Sequence, residues 1–388
     1  MRHTDVCIAG AGIIGLSLAL ELHRCGLTVA VLESDHAMGQ ASHAAAGMLA
    51  ADDPENPPAL SSLAQLSLSL YPEFLRSIES LSNCTIKLRT SETLQALPSG
   101  TVTAHTGNLT SAALALAEPH LLPGHWSWLS LPEHSLDPRE LATSLLKAFQ
   151  SVTVRNDNLG MHEHCQGLSV NMAPDGKFHV KWSTGQLFAS RWVDCRGAWS
   201  GVAPAATSPD VLAKYEVTKS STHPSPLAYG RPGLWLPVKP KKGQMLTVLL
   251  PPHISLRRTL RTLDIYLVPR GEGRVVIGAT MEDVGFDTNT DSASIQHLLR
   301  LAAELVPAIA HATILEQWAG LRPGTPDGLP LLGAIPGLPG AFAATGHFRN
   351  GILLAPATAR VMAQMICGEP TDVDLTPFNL DRFADYIY

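Results

Sequence analysis

The sequence predicts an α/β protein that opens on a Rossmann-like dinucleotide-binding unit, and three observations carry that reading. The apolar run 5–9 leads directly into Gly10-Ala11-Gly12-Ile13-Ile14-Gly15. A helical apolar pattern then reaches Arg24 and stops at Cys25-Gly26, after which a second apolar run, 27–32, ends in Glu33. Strand, glycine turn, helix and strand within about 30 residues form one βαβ unit. Thirdly, 45% of the 388 residues are apolar and only 16% are charged, which supplies a sizeable core and excludes wholesale disorder. At about 100–200 residues per domain, the length predicts two or three domains, or one large nucleotide-binding unit with a satellite.

Each residue of the opening unit has a physical task. Gly10 allows the tight turn, Gly12 lets backbone approach a pyrophosphate, and Gly15 permits close helix–strand packing. The helix starting near Ile13 offers free N–H groups and a positive dipole end to phosphates. Glu33 stands eighteen residues after Gly15, where a carboxylate accepts the ribose 2′-OH and would repel the 2′-phosphate of NADP. A glycine-rich turn without a ligand is the alternative, and the complete order of elements outweighs it. The loop alone does not separate FAD from NAD. The segment after Glu33 helps, because in place of further βαβ units it carries Ala41-Ser42-His43-Ala44-Ala45-Ala46-Gly47-Met48-Leu49, small enough to run close to a flat ligand.

Further along, residues 60–81 read as a helix, while 94–131 give no clear pattern. Pro138 sits in the first turn of a helix running to about Phe149, and 151–155 read as a strand with Val152 and Val154 on one face. Residues 168–170 and 177–182 suggest a hairpin, and 191–194 a strand leading into Cys195-Arg196-Gly197-Ala198-Trp199. Composition shifts near residue 208, and Pro and Gly cluster up to Pro240. Strands follow at 245–250, 265–268 and 275–279, then a helix at 291–305 stopped by Pro307, a strand at 341–345, and a helix at 351–366 ended by Gly368.

Lys and Arg number 28 against 34 Asp and Glu, a net charge of −6 without a basic block, which argues against nucleic acid or an anionic membrane as partner. The six cysteines are scattered with no Cys-x-x-Cys pair, as expected of a cytoplasmic protein. Arg2 and His3 ahead of an apolar stretch mimic a signal peptide, but Asp5 and the glycine spacing assign that stretch to the nucleotide motif. No run reaches the roughly 18 apolar residues of a membrane span.

Two later stretches carry chemistry. In Trp318-Ala319-Gly320-Leu321-Arg322-Pro323-Gly324-Thr325-Pro326-Asp327-Gly328, Arg322 can grip a carboxylate through two parallel hydrogen bonds, or tie two loops together. In Thr345-Gly346-His347-Phe348-Arg349-Asn350-Gly351-Ile352-Leu353-Leu354, a strand end turns into a helix N-terminus that favours negative charge, such as that on a reduced flavin; the alternative is an ordinary helix capped by Asn350. His162 and His164 would share one face of a strand, but no motif completes a metal site, so a solvated hairpin is preferred and no metal is expected. Cys195 reads as a small buried residue, Trp182, Trp192 and Trp199 as core or interface, and Arg270 as a structural ion-pair partner.

Together the stretches 10–15 with Glu33-Ser34, Ala44-Ala45-Ala46-Gly47-Met48-Leu49, Tyr266-Leu267-Val268-Pro269-Arg270, Ile277-Gly278-Ala279-Thr280-Met281, 318–327 and 346–358 resemble the D-amino-acid-oxidase-type FAD enzymes, in particular the branch that oxidises glycine for thiamine biosynthesis. The resemblance implies a Rossmann-like FAD-binding domain assembled from discontinuous segments (1–85, 134–215 and 319–388). It also implies an α+β substrate-binding domain with a mostly antiparallel sheet (86–133 and 216–318). By that resemblance Ile13, Ile14, Glu33, Ser34, Ala41, Ser42, Ala46, Gly47 and Met48 line the FAD, Val154 contacts its adenine end through backbone, and His347, Phe348, Arg349, Asn350, Gly351, Ile352 and Leu353 wrap the flavin pyrimidine. Arg322 holds the substrate carboxylate with Tyr266 assisting, and no side chain is catalytic, because flavin N5 takes the hydride.

The implied reaction is oxidative deamination of glycine or another small amino acid or amine to an imine, then glyoxylate and ammonia. O2 is the implied acceptor, giving hydrogen peroxide, and the implied assembly is a homo-oligomer. The alternative is an FAD-dependent amino or imino acid dehydrogenase that passes electrons to a quinone or carrier. With no cysteine between Cys195 and Cys367, the FAD is expected to be non-covalent. Three positions depart from the family pattern: Asp264 replaces a histidine, Ala50 a glycine, and Arg196 a small residue.

Overall fold

The structure, a computed structural model, describes residues 3–98, 108–155, 159–202 and 236–387. The composition shift near residue 208 and the expected domain boundary at 215/216 lie outside these residues.

Two sheets organise the described chain. In the first, β1 (His3–Ala9) lies between β2 (Val29–Leu32) and β10 (Gly185–Asp194), parallel to both. Parallel pairing continues outward to β7 (Leu159–His162) beside β2 and to β17 (Ala341–Thr345) beside β10. β16 (Leu331–Ala334) closes one edge antiparallel to β17, and the hairpin β8 (Ser169–Met172)/β9 (Phe178–Trp182) pairs antiparallel onto β10. β1 is an unbroken apolar run because both its faces are covered. Val6 and Ile8 pack with α1 (Ile13–Arg24), while Cys7 and Ala9 pack with Phe178, Trp192 and Ala343.

The second sheet runs β15 (Thr313–Gly324), β11 (Lys239–Leu249), β14 (Arg274–Gly278), β13 (Tyr266–Gly271), β12 (Thr259–Arg261), β4 (Thr93–Pro98), β5 (Trp126–Leu131). Every pairing is antiparallel except β12 with β4. A two-stranded ladder joins β3 (Leu88–Thr90) to β6 (Ser135–Leu136). The helices are α2 (Ala41–Ala44), α3 (Ser61–Ser82), α4 (Ser111–Ala117), α5 (Pro138–Arg155), α6 (Ser292–Leu305) and α7 (Gly351–Cys367). Ile295, Leu298 and Ala302 of α6 pack on Leu246, Val248, Leu267 and Ile277 of the second sheet. The opposite face of that sheet presents Val268 and Val276, with Tyr266 and Trp318 beside them, to Ala46 and Met48.

Three expectations change. Residues 151–155 are the last turns of α5 and not a strand. Val152 extends the helical stripe Leu141, Leu145, Ala148 and Phe149 onto the core, and that packing overrides the β-preference of valine. The patternless region 94–131 contains β4, α4 and β5, whose alternation is hidden because Thr93 and Gln95 are buried along with Leu94 and Ala96. β15 pairs with β11 from Thr313 to Gly324, so 319–324, expected in the FAD-binding domain, are strand of the second sheet. Helix α6 is capped by Asp291, which accepts from the Ser294 N–H.

Trp192 is completely buried at the centre of the first sheet, and its indole N–H has no hydrogen-bond partner among the described residues. Trp192→Ala should therefore cost about 3–5 kcal/mol in urea unfolding. Trp192→Phe, which also removes the orphaned donor, should cost distinctly less; equal losses would contradict this account.

Candidate functional site: one cleft between two sheets

A cleft of about 730 Å³ opens where the first sheet's strand ends face the second sheet. Its nucleotide end is built by close backbone approaches. Gly10 has φ +101°, and a Cβ there would lie 2.3 Å from the Cys195 carbonyl oxygen. A Cβ on Gly15 would lie 2.0 Å from the Gly10 carbonyl oxygen. The Glu33 carboxylate accepts from the Ala11 N–H at 2.8 Å and the Asp35 N–H at 3.1 Å, which holds the acid at the tip of β2. Ser42 Oγ accepts from the Ile13 N–H at 3.0 Å.

The small-residue stretch is held from outside. Trp318 Nε1 donates to the Ala44 carbonyl at 3.1 Å, and Arg270 Nη2 to the Ala46 carbonyl at 2.6 Å. Arg270 is buried, which pushes its guanidinium down to about 10, and its Nε lies 3.8 Å from Asp137. It does not line the cleft. Gly47 (φ +75°) passes so close to the Leu136 carbonyl that a Cβ would lie 2.1 Å from it.

At the other rim α7 begins. Asn350 is at the N-cap position, but its side chain donates to Asn56 Oδ1 at 3.0 Å and makes no cap. The first N–H groups of α7 therefore stay open as a positive helix end. Arg349 pairs with Glu55 at 2.7 Å and lies 3.5 Å from Asp53. His347 is 3% exposed, its Nε2 lies 3.0 Å from Thr358 Oγ1, and burial pushes its pKa down to about 3, so the ring is neutral.

The second sheet supplies the remaining wall. Tyr266 covers Gly278, where a Cβ would meet its hydroxyl at 2.5 Å, and Arg322 covers Gly243, where a Cβ would meet Nη1 at 2.3 Å. Arg322 donates to the Thr280 carbonyl at 3.1 Å, and its charge acts on the neighbouring Tyr266 phenol, whose hydroxyl donates to Met245 Sδ at 3.2 Å. Burial raises the Tyr266 pKa against the opposing pull of the Arg322 charge, which keeps the phenol protonated. Among the described residues Arg322 has no carboxylate partner.

Most of the expected residues line this cleft: Gly10, Gly12, Ile13, Ile14, Glu33 and Ser34 at one end, Ala41, Ser42, Ala46, Gly47 and Met48 beside them, and 347–352, Tyr266 and Arg322 opposite. Gly15 is absent because it serves packing. Leu353 is buried in the helical core, and Val154 belongs to the last turn of α5. Cys165, Gln166, Gly167 and Leu168, just after β7, also line the cleft. Sequence reading also missed Asp53, Arg261 and the turn 195–199 as cleft residues. Only the turn had a signal, a glycine following an apolar strand. Of the three departures from the family pattern, Arg196 is directed onto the buried Asp194, with Nη2 to Oδ2 at 2.6 Å; Asp264 is exposed at the rim; and Ala50 is buried in the wall.

The parallel sheet with its glycine turn and the open helix end define a dinucleotide-binding protein. A model of the family "FAD dependent oxidoreductase" (DAO) matches residues 5–365, and the chain belongs to that family of FAD-dependent oxidoreductases. It is 35% identical to the bifunctional protein ThiO/ThiG of Trichormus variabilis across 98% of this chain and 55% of that protein. It is 32% identical to the glycine oxidase of Pseudomonas aeruginosa across 96% of this chain and 97% of that one. The crystal structure of glycine oxidase from Geobacillus kaustophilus superposes with a TM-score of 0.83 at 27% identity, covering 98% of this chain and 99% of that one. The chain spans about half the length of the bifunctional relatives it matches. The residues present fit FAD, since the Gly10–Cys195 approach leaves the strand ends bare of side chains and the end of α7 is uncapped.

Gly10→Ala should weaken FAD binding roughly tenfold or more, about 1.4 kcal/mol, read by flavin fluorescence on titrating apoprotein. Full flavin retention in that variant would sink the cradle. His347 gives a pH signature: its folded pKa is depressed, so its contribution to stability is complete above pH 6.5 and is lost as pH falls toward 3. Wild-type unfolding free energy should fall by about 1.4 kcal/mol per pH unit more than that of His347→Asn across this window. Parallel slopes would contradict a buried neutral imidazole.

Proposed function

We propose that this chain oxidises glycine or another small amino acid or amine with non-covalently bound FAD. The observation that carries this reading is Arg322: a half-buried guanidinium, facing the cleft beside a protonated Tyr266 and lacking a carboxylate partner among the described residues. A substrate carboxylate completes it, accepting two parallel hydrogen bonds from the guanidinium and one from the phenol. Glycine oxidases among the relatives support the substrate class. The ThiO/ThiG relatives support service in thiamine thiazole biosynthesis. In this reading the first sheet with α1, α3, α5 and α7 is the FAD-binding unit, and the second sheet with α6 is the substrate-binding unit.

FAD held by the glycine turn, Glu33 and the open end of α7 would supply a two-electron acceptor for oxidation of the substrate amine to an imine, with O2 as the proposed final acceptor giving hydrogen peroxide. The chain's own work is positional. Arg322 and Tyr266 fix the carboxylate and so the direction of the Cα–H bond. The open end of α7 favours negative charge at the opposite rim. His347, neutral and buried, holds the loop before α7 through Thr358 without adding a competing charge.

Anaerobic mixing of the holoprotein with glycine, sarcosine, D-alanine and D-proline tests this. Glycine should bleach the flavin absorbance, and air should restore it with stoichiometric peroxide. Bleaching with slow recovery in air would shift the assignment to a dehydrogenase, and no bleaching by any of the four would overturn it. Arg322→Lys should raise KM for glycine roughly tenfold or more, because a point charge cannot replace the planar fork. An unchanged KM would remove the clamp.

A further inference from the structure

Cys25 and Cys367 are at opposite ends of the sequence but at the same end of two packed helices. α1 follows β1 and α7 follows β17, both strands run parallel to β10, and both helices cover the same face of the first sheet. The helices therefore run side by side in the same direction, with Glu21 and Arg360 3.5 Å apart between them. Cys25 is the C-cap of α1 and Cys367 the last residue of α7. Each is followed by a glycine in the left-handed region, Gly26 at φ +82° and Gly368 at φ +77°. A Cβ on either glycine would meet nothing within 4 Å, so both helix ends are open to solvent. Cys25 is exposed and Cys367 half-buried, and the two thiols are neighbours: burial, and then the Cys367 thiol, pushes the Cys25 thiol up to about 11.

We propose that Cys25 and Cys367 form a dithiol that hydrogen peroxide oxidises to an intramolecular disulfide. One thiolate attacks the peroxide O–O bond, giving a sulfenic acid and water. The second thiol displaces the sulfenic oxygen as a second water, so two thiols lose two electrons and two protons while peroxide is reduced to two waters. The bond would tie α1 to α7 at the ends remote from the cleft and close a loop over most of the chain, which restricts the unfolded state.

The test adds hydrogen peroxide directly to the holoprotein, so its outcome is independent of whether glycine is a substrate. The thiol titre of the denatured chain should fall from six to four. A digest should yield one peptide pair joined through Cys25 and Cys367, the Tm should rise, and dithiothreitol should reverse all three. Cys25→Ser and Cys367→Ser should each abolish the joined pair and the Tm rise. The competing thiol is Cys84, whose sulfur lies 3.4 Å from Lys147 Nζ. Oxidation confined to Cys84, a sulfinic acid at Cys25, or a disulfide between two chains would each overturn the proposal.

Discussion

Everything in the cofactor half depends on one contact among backbones. At Gly10 the end of β1, the turn into α1 and the Cys195 carbonyl after β10 come together at distances that admit no side chain. The Gly10 carbonyl in turn lies where a Cβ on residue 15 would be, so the first turn of α1 is seated directly on the strand end. This close seating is what aims the helix N-terminus into the cleft. It also brings Asp194 and Arg196 to the same edge, paired with each other so that the neighbouring strand end adds no net charge.

The second constraint is the way the cradle is completed from the other sheet. The stretch after Glu33 has little side-chain bulk with which to hold a shape. Its carbonyls at Ala44 and Ala46 are gripped by Trp318 of β15 and Arg270 of β13. The two sheets are thus coupled through the segment that lies between them, and the shape of the nucleotide end follows from residues more than two hundred positions away in sequence.

Charge pairing singles out one arginine in the wall. Arg196, Arg261 and Arg349 each have a carboxylate within 4 Å: Asp194, Glu133 and Glu55 respectively. Among the described residues Arg322 has no carboxylate within 4 Å; it donates to the Thr280 carbonyl and stands beside the Tyr266 phenol. An uncompensated guanidinium in a partly desolvated cleft is costly, and a carboxylate beside it would offset that cost.

The sequence by itself determined the opening βαβ unit, because glycine spacing, apolar runs and a terminal acid are all local and their order leaves one packing. It also determined the strand and helix 341–366, and marked Arg322 as either a clamp or a loop tie. Only the tertiary structure shows Arg322 in the cleft wall without a carboxylate partner among the described residues, since its surroundings are drawn from many segments. It likewise decided that 151–155 continue a helix, because Val152 finds its partners in a core that local propensity does not describe. Arg261 and 165–168 reach the cleft through pairings between distant strands, and Asp53 stands against Arg261 and Arg349 from elsewhere in the chain; no local pattern of apolar and polar residues records which distant segment a residue will meet.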